Sequence, residues 1–474
     1  MEHKKDNGLK VNLVYNICYQ ILSLIVPLIT APYISRVLGK DGVGAYSYTY
    51  SVAHYFVLFI MLGVLNYGNR EIARVKNNKE ALIDTFCGIY TVQLCLGIII
   101  TFFYAVYVIA YKPAFKTICM AQGLYVISGM LDISWFYFGI EKFKTTTKVS
   151  MINKLLTTLL IFALVRDSDD IFLYTSILSG GALLNNIIYW LLLKQYINVF
   201  TINIHNSIQQ IKPLLILFIP VIAVNAYKYM DKIMLGLMIN TAEVGIYEAA
   251  EKFINLPLSL ITAVGTVMLP RISTLIKESN DIMVRKYNNI SMILIMFMSF
   301  GIVFGLAGIT KPFIPWFYGS EFLKSADVLI VLLPSVIFVS WANVVRTQCL
   351  LPSMRDKEYC ISVICGAIVN FLINFLLIPK LGSKGAAIGT TIAELTVCFI
   401  QTVETRKDME FWKYAIDSLP FFLVAIIMYL IIAGISTSSD FSTIIIRILV
   451  GGIIYIGLSS AYIIKISKRY HADM

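Results

Sequence analysis

The stretch Asn225-Ala-Tyr-Lys228-Tyr-Met-Asp231-Lys232 places two ammonium groups and a carboxylate inside a run, Pro213 to Leu237, that is apolar enough to cross a bilayer. Each such charge costs roughly 2.5 to 3.5 kcal/mol at the centre of a membrane helix, so something polar must face them. At 100° per residue, Asn225, Lys228, Asp231 and Lys232 fall within about a third of the helix circumference, which lets one stripe be wet while the rest meets lipid or protein. A structural ion pair with Asp231, or with Glu248 or Glu251 of the next apolar run, is one way to satisfy the lysines. One carboxylate cannot neutralise both, and that surplus points beyond structure.

Other ionisable residues sit at comparable places. Glu394 and Asp132 lie in apolar runs with no cation within one helical turn. A buried carboxylate of that kind suits a site that takes up and releases a proton, or else it stays neutral and hydrogen-bonded between helices; Asp231 is a third candidate. Arg346 lies about a turn and a half from the end of its run. Of four histidines only His54 is in a span, where helix packing is the expected role. The eight cysteines show no CxxC and no Cys/His cluster of metal-ligand spacing, so no disulfide, metal or cofactor is expected.

The elements that hold these groups follow from composition. With 58% hydrophobic and 14% charged residues, the chain is expected to be an all-α polytopic membrane protein. Apolar runs place fourteen spans near 12–34, 43–66, 82–110, 114–140, 149–165, 170–194, 213–238, 245–270, 290–310, 325–351, 359–379, 385–404, 414–436 and 442–464. With the N-terminus in the cytoplasm, the inner segments hold 24 of the 39 Lys and Arg residues and the outer loops 9. Both termini are therefore expected to be cytoplasmic. The net charge of +11 is mostly topological and gives no argument for nucleic-acid binding.

All loops are short and none carries GxxxxGK[ST], GxSxG or HExxH, which argues against an ATP-driven pump or a membrane hydrolase. Internal repetition points instead to a carrier. Val43-Gly44-Ala-Tyr46 recurs as Val244-Gly245-Ile-Tyr247, and Arg70 as Arg271, at one offset of 201 residues. A six-span unit thus appears twice, in parallel orientation because six is even. The expected divisions are a six-helix lobe over 1–194, a cytoplasmic linker over 195–212, a second six-helix lobe over 213–404, and two additional helices with a tail over 405–474. Gly301-x-x-x-Gly305 and Gly385-x-x-x-Gly389 read as close helix packing.

The run Pro32-Tyr33-Ile-Ser-Arg36-Val-Leu-Gly39-x-x-Gly42-Val43-Gly44-x-Tyr46, with Asp231-Lys232-Ile-Met-Leu-Gly236 and Glu243-Val244-Gly245-Ile246-Tyr247, resembles the polysaccharide transporter branch of the multidrug/oligosaccharidyl-lipid/polysaccharide exporter superfamily. Within it the likeness is to Wzx-type flippases for O-antigen and capsule repeat units. The resemblance implies export of an undecaprenyl-diphosphate-linked oligosaccharide across the bacterial inner membrane by alternating access. It also implies an H+ or Na+ counter-ion in some members; association with a polysaccharide polymerase and a chain-length regulator is a further expectation.

On that expectation Lys228 and Lys232 would meet the diphosphate as mobile point charges. Arg346 would guide the head group or snorkel to the interface. Arg70, Arg271 and Arg36, near span ends, are topological or part of a funnel for the anionic lipid. Glu394, Asp231 and Asp132 are the ion-coupling candidates. A lipid II flippase and a multidrug/cation antiporter of the same superfamily are the alternatives. The surplus lysine argues against the antiporter, and the lack of a large outer loop argues against a glycan polymerase or ligase.

Overall fold

Gly39 turns the chain back on itself within its first long helix, with φ 64° and ψ −179°, a conformation open to glycine and strained for other residues. The computed structural model describes residues 2–110, 113–197 and 204–472. Residues 198–203 of the expected linker lie outside the described residues. The helices are α1 (Glu2–Met61), α2 (Val64–Val75), α3 (Lys79–Ala110), α4 (Pro113–Met130), α5 (Ser134–Gly139), α6 (Phe143–Leu164), α7 (Ile171–Leu193) and α8 (Ile204–Met238). They continue as α9 (Thr241–Lys277), α10 (Asp281–Tyr318), α11 (Leu323–Val345), α12 (Asp356–Leu381), α13 (Ser383–Glu404), α14 (Phe411–Ala433) and α15 (Asp440–Ala472). Among the described residues there is no strand.

Twelve of the described segments are long and apolar enough to cross a membrane, and the protein is an all-α, multi-pass membrane protein. The first of these, Ile25–Val75, has 51 residues. A straight helix of that length would reach about 76 Å, far beyond a hydrocarbon core of about 30 Å, so the Gly39 break makes it two spans. The 35-residue α8 carries the expected seventh span. Each of the fourteen expected spans therefore falls on a helix. Side chains such as Phe102, Leu159 and Val267 stand exposed on these helices, as a lipid-facing surface requires.

The chain divides into two compact units, Met1–Asn225 and Ala226–Met474, and the division falls inside α8. Within the first unit α1 packs on α3 and α4, α3 on α4, α4 on α7, and α6 on α7. Within the second, α9 packs on α10 and α11, α10 on α11, α11 on α13, and α12 on α13. Shifted by one six-span unit, these are the same neighbours, which is consistent with the repeat. Even the break recurs: Asn240, 201 residues after Gly39, is the extended N-cap of α9 and accepts the Glu243 N–H at 3.0 Å. The last two helices, α14 and α15, pack on α10 and on each other.

Small residues set the closest approaches. A Cβ on Gly385 would lie 2.6 Å from the Leu377 backbone, so α12 and α13 touch main chain to main chain. Gly301 lies against the Tyr455 ring of α15, whereas Gly305 has only Met428 at 3.8 Å. After α11 the helix widens into a π-turn, Arg346–Leu350, which nothing in the residue pattern announces.

Candidate functional site

Four helices of the second unit converge on one carboxylate. Asp231, near the end of α8, is 2% exposed. Its Oδ2 accepts hydrogen bonds from Tyr247 Oη on α9 at 2.6 Å and from Thr390 Oγ1 on α13 at 2.5 Å. Its Oδ1 accepts from Asn374 Nδ2 on α12 at 2.5 Å. Asn374 Nδ2 also reaches Asn370 Oδ1 at 3.2 Å, one turn earlier on α12. Asn374 Oδ1 is buried without a hydrogen-bond partner. Among the described residues no cation lies within ion-pair distance of Asp231. The carboxylate is thus held by two hydroxyls and an amide N–H, with the Asn374 amide oxygen left over beside it, a polar site within an apolar bundle that could exchange a proton or, with the amide turned, a hard monovalent cation.

Lys232, the next residue, is turned to other partners. It is 8% exposed, and its Nζ lies 2.6 Å from Glu248 Oε2 and 2.7 Å from Glu251 Oε2 on α9. Lys252 in turn contacts Glu248 Oε1 at 3.0 Å. Two ammonium groups and two carboxylates thus form one balanced cluster. Lys232 is thus paired with carboxylates of the following helix. The surplus charge is Lys228: it is exposed, its Nζ stands 6.0 Å from the Tyr229 ring, and no carboxylate among the described residues pairs with it.

Arg346 opens the π-turn. Its Nη2 donates to Asn343 Oδ1 at 2.8 Å and its guanidinium lies 5.8 Å from the Tyr359 ring, while its Nε is buried and unpartnered. Glu394 on α13 lies within electrostatic reach of Arg346 and Asp231, so the cation absent from its own helix comes from the π-turn after α11, without a direct ion pair among the described residues. Arg271, exposed over the Tyr287 ring, is 24 residues beyond Tyr247 on α9, or about 36 Å along the helix. It is not part of the Asp231 cluster.

In the first unit, Arg36 is exposed on α1 beside the Gly39 break, and Arg70 pairs with Glu71 at 3.1 Å at half-exposure on α2. Asp132 has a local task. Its Oδ1 accepts the Ser134 N–H at 2.8 Å where α4 breaks before α5. Gln93 of α3 spans the same break, donating to the carbonyls of Gly129 at 3.0 Å and Asp132 at 2.8 Å and accepting from Trp135 Nε1 at 3.1 Å. Carbonyls freed by a helix break in a membrane need such a donor.

A family model described as "Polysaccharide biosynthesis protein" matches residues 9–276, more than half of the chain. The chain belongs to this polysaccharide biosynthesis family. A second model, for the lipid II flippase MurJ, matches residues 149–451, and both place the protein among the multidrug/oligosaccharidyl-lipid/polysaccharide exporters. The polysaccharide-family chain is 23% identical over 409 residues to a candidate O-antigen transporter of Escherichia coli (strain K12), covering 85% of this chain and 97% of that one. It is 22% identical over 393 residues to the capsular polysaccharide biosynthesis protein CapF of Staphylococcus aureus, covering 81% and 96%. Its fold is similar to lipid II flippase MurJ in an inward closed conformation, with TM-score 0.75, 18% identity, and coverage of 96% and 99%. It is also similar to an inward-facing multidrug MATE transporter, with TM-score 0.58, 14% identity, and coverage of 81% and 97%.

Asn370, Asn374 and Thr390 were not legible as site residues of this family member. They are uncharged and lie more than a hundred residues from Asp231. The GxxxG element was the available signal, because Gly389 makes room for the Asn374 side chain.

Proposed function

We propose that this polysaccharide-family transporter flips an undecaprenyl-diphosphate-linked oligosaccharide, the repeat unit of an O-antigen, capsule or related surface glycan, from the cytoplasmic to the outer face of the bacterial inner membrane. The observation that carries the reading is Lys228, an ammonium group within an apolar helix that no carboxylate among the described residues neutralises, one turn before a lysine that two carboxylates do. A diphosphate bridging lipid and sugar carries about two negative charges, and an unpaired passage through hydrocarbon would be prohibitive. Lys228 lowers that barrier, with Arg346, Arg70, Arg271 and Arg36 guiding the head group at the span ends. The two six-helix lobes rock between inward- and outward-open states, with both termini in the cytoplasm, as the Lys and Arg distribution supports.

Asp231 is the first choice for the coupling site and Glu394 the second. The donors around Asp231 suit a carboxylate that exchanges a proton; with the Asn374 amide turned, the oxygens of Asn374, Asn370 and Thr390 would serve Na+ in the same linkage. The names of the Escherichia coli and Staphylococcus aureus relatives support a surface-glycan substrate.

Deleting the gene in cells that keep peptidoglycan synthesis should cause lipid-linked repeat units to accumulate in the inner leaflet. Normal surface glycan without accumulation would overturn the proposal. Lipid II is the second reading, favoured by the MurJ model match over 149–451. Rescue of a strain depleted of its lipid II flippase would establish it.

A further inference from the structure

Within the second unit, α14 leaves an opening beside the helix that precedes it. A six-residue link, 405–410, joins α13 to α14, yet among the described residues α14 packs on α10 and α15 and not along α13. Between the two helices lies an apolar crevice of about 390 Å³. Met296 and Phe300 of α10 form its floor, and both are buried. Leu395 and Phe399 of α13 and Leu419 of α14 stand exposed at its rims. Aromatic pairs mark its ends. Phe300 meets Phe422 with ring centroids 5.4 Å apart, and Trp341 of α11 meets Phe411 at 5.8 Å.

What fills this space comes from the bilayer. Large apolar side chains stand exposed on both rims, so the mouth opens sideways into hydrocarbon rather than to water. From Ala415 to Phe422 the wall of α14 rises about 10 Å, within the roughly 15 Å of one leaflet. A space of that height and volume admits one acyl chain and falls far short of a long prenyl tail. One hydroxyl interrupts the apolar lining. Ser299 on α10 and Thr396 on α13 turn their hydroxyls back on the carbonyls of Ile295 and Ile392, at 2.7 and 2.8 Å. Ser418, which lines the crevice, is 2% exposed, and its Oγ is buried without a hydrogen-bond partner. It lies about 10 Å from the start of α14, at the base of the head-group zone, where the ester carbonyl of a lipid would accept from it.

Charge at the mouth narrows the class of lipid. Asp408 of the link pairs with Arg355 at 2.9 Å, and Glu410 pairs with Lys413 at 3.1 Å. Arg406 and Lys407 are exposed, and among the described residues neither has a carboxylate within ion-pair distance. They follow Thr402, at the Trp341 end of the crevice, by four and five residues. A head group whose chain enters there is within their reach, and basic side chains beside a membrane surface favour an anionic head over a zwitterionic one. We infer that the crevice between α13 and α14 seats one acyl chain of an anionic phospholipid, with its ester on Ser418 and its phosphate on Arg406 and Lys407. The seated chain supplies the packing that α13 and α14 do not give each other. It is a lipid-dependent brace, independent of whatever the carrier transports.

Native mass spectrometry of the full chain, titrated with dioleoyl phosphatidylglycerol or dioleoyl phosphatidylcholine, tests it. The wild-type protein is expected to hold phosphatidylglycerol about 10-fold more tightly, as two basic contacts imply, and to melt at a higher temperature in its presence. Arg406→Gln combined with Lys407→Gln should bind the two lipids equally. Lys277→Gln combined with Lys286→Gln removes the same charge around the α9–α10 link and should keep the preference. Ala415→Trp, which fills the crevice from its exposed rim, should weaken phosphatidylglycerol about 10-fold and lose the thermal gain. A preference that survives in the Arg406 and Lys407 variant, or that falls equally in the Lys277 and Lys286 variant, overturns the site. Unchanged retention in Ala415→Trp does the same. Bare polyprenyl diphosphate held more tightly than phosphatidylglycerol, and released by Ala415→Trp, would give the crevice to a prenyl tail and overturn the phospholipid seat.

Discussion

Gly389 sits beneath the side chain of Asn374, which occupies the space that a Cβ at position 389 would need. The hydrogen bond from Asn374 to Asp231 depends on that missing atom. Gly389→Ala is therefore expected to displace the amide and cost about 1 to 3 kcal/mol through overpacking. Transport should fall at least 10-fold at equal expression. A Gly389→Ala variant with wild-type transport and melting temperature would separate Asn374 from the site.

Asp231→Asn keeps the size of the side chain and one accepting oxygen while removing the charge proposed to bind the coupling ion. The expected outcome is folded protein whose residual transport no longer responds to an imposed Na+ or pH gradient, read in proteoliposomes. Wild-type gradient dependence in this variant would move coupling to Glu394.

The two lysines of α8 should behave differently. Lys232→Met leaves Glu251 without its lysine at a buried site and Glu248 with Lys252 alone, and breaking such a pair typically costs about 3 to 5 kcal/mol. Thermal unfolding in detergent should show a large loss of stability, largely restored in the double variant Lys232→Met with Glu251→Gln, which keeps the Glu248–Lys252 pair. Lys228→Gln should melt like the wild-type protein and lose transport, and Lys228→Arg should keep part of it.

At the break between α4 and α5, Gln93→Leu removes the donor to two carbonyls and the acceptor for the Trp135 N–H. Each buried group left unsatisfied costs about 1 to 3 kcal/mol, so the variant should be strongly destabilised in melting experiments. Asp132→Asn retains an oxygen for the Ser134 N–H and should be near normal in both stability and gradient dependence. A loss of gradient dependence there would give Asp132 the coupling role.

Local signals were readable and remote ones were not. Apolar run length located the spans because a bilayer imposes it, and it parted 12–34 from 43–66 without saying that the break would fall at Gly39. The VG-x-Y repeat marked Tyr247, though not its bond to Asp231. The partners of Lys232 lie one helix away and were legible as alternatives. Asn374 and Thr390 carry no charge, and nothing in a single sequence says which polar residue of a membrane helix will face which acid. The π-turn at Arg346 has no composition of its own.

The pairing of Lys232 with Glu248 and Glu251 bears on how the protein is made. These residues belong to consecutive helices, so they leave the ribosome as neighbours and can cancel their charges when α8 and α9 enter the bilayer as a hairpin. Inserted separately, each charge would oppose partitioning by roughly 2.5 to 3.5 kcal/mol at mid-depth. Asp231 has no such early companion among its polar contacts beyond Tyr247, because Asn374 and Thr390 are synthesised 143 and 159 residues later. The balanced cluster is complete as soon as the hairpin exists, whereas the Asp231 site is finished only when α12 and α13 arrive.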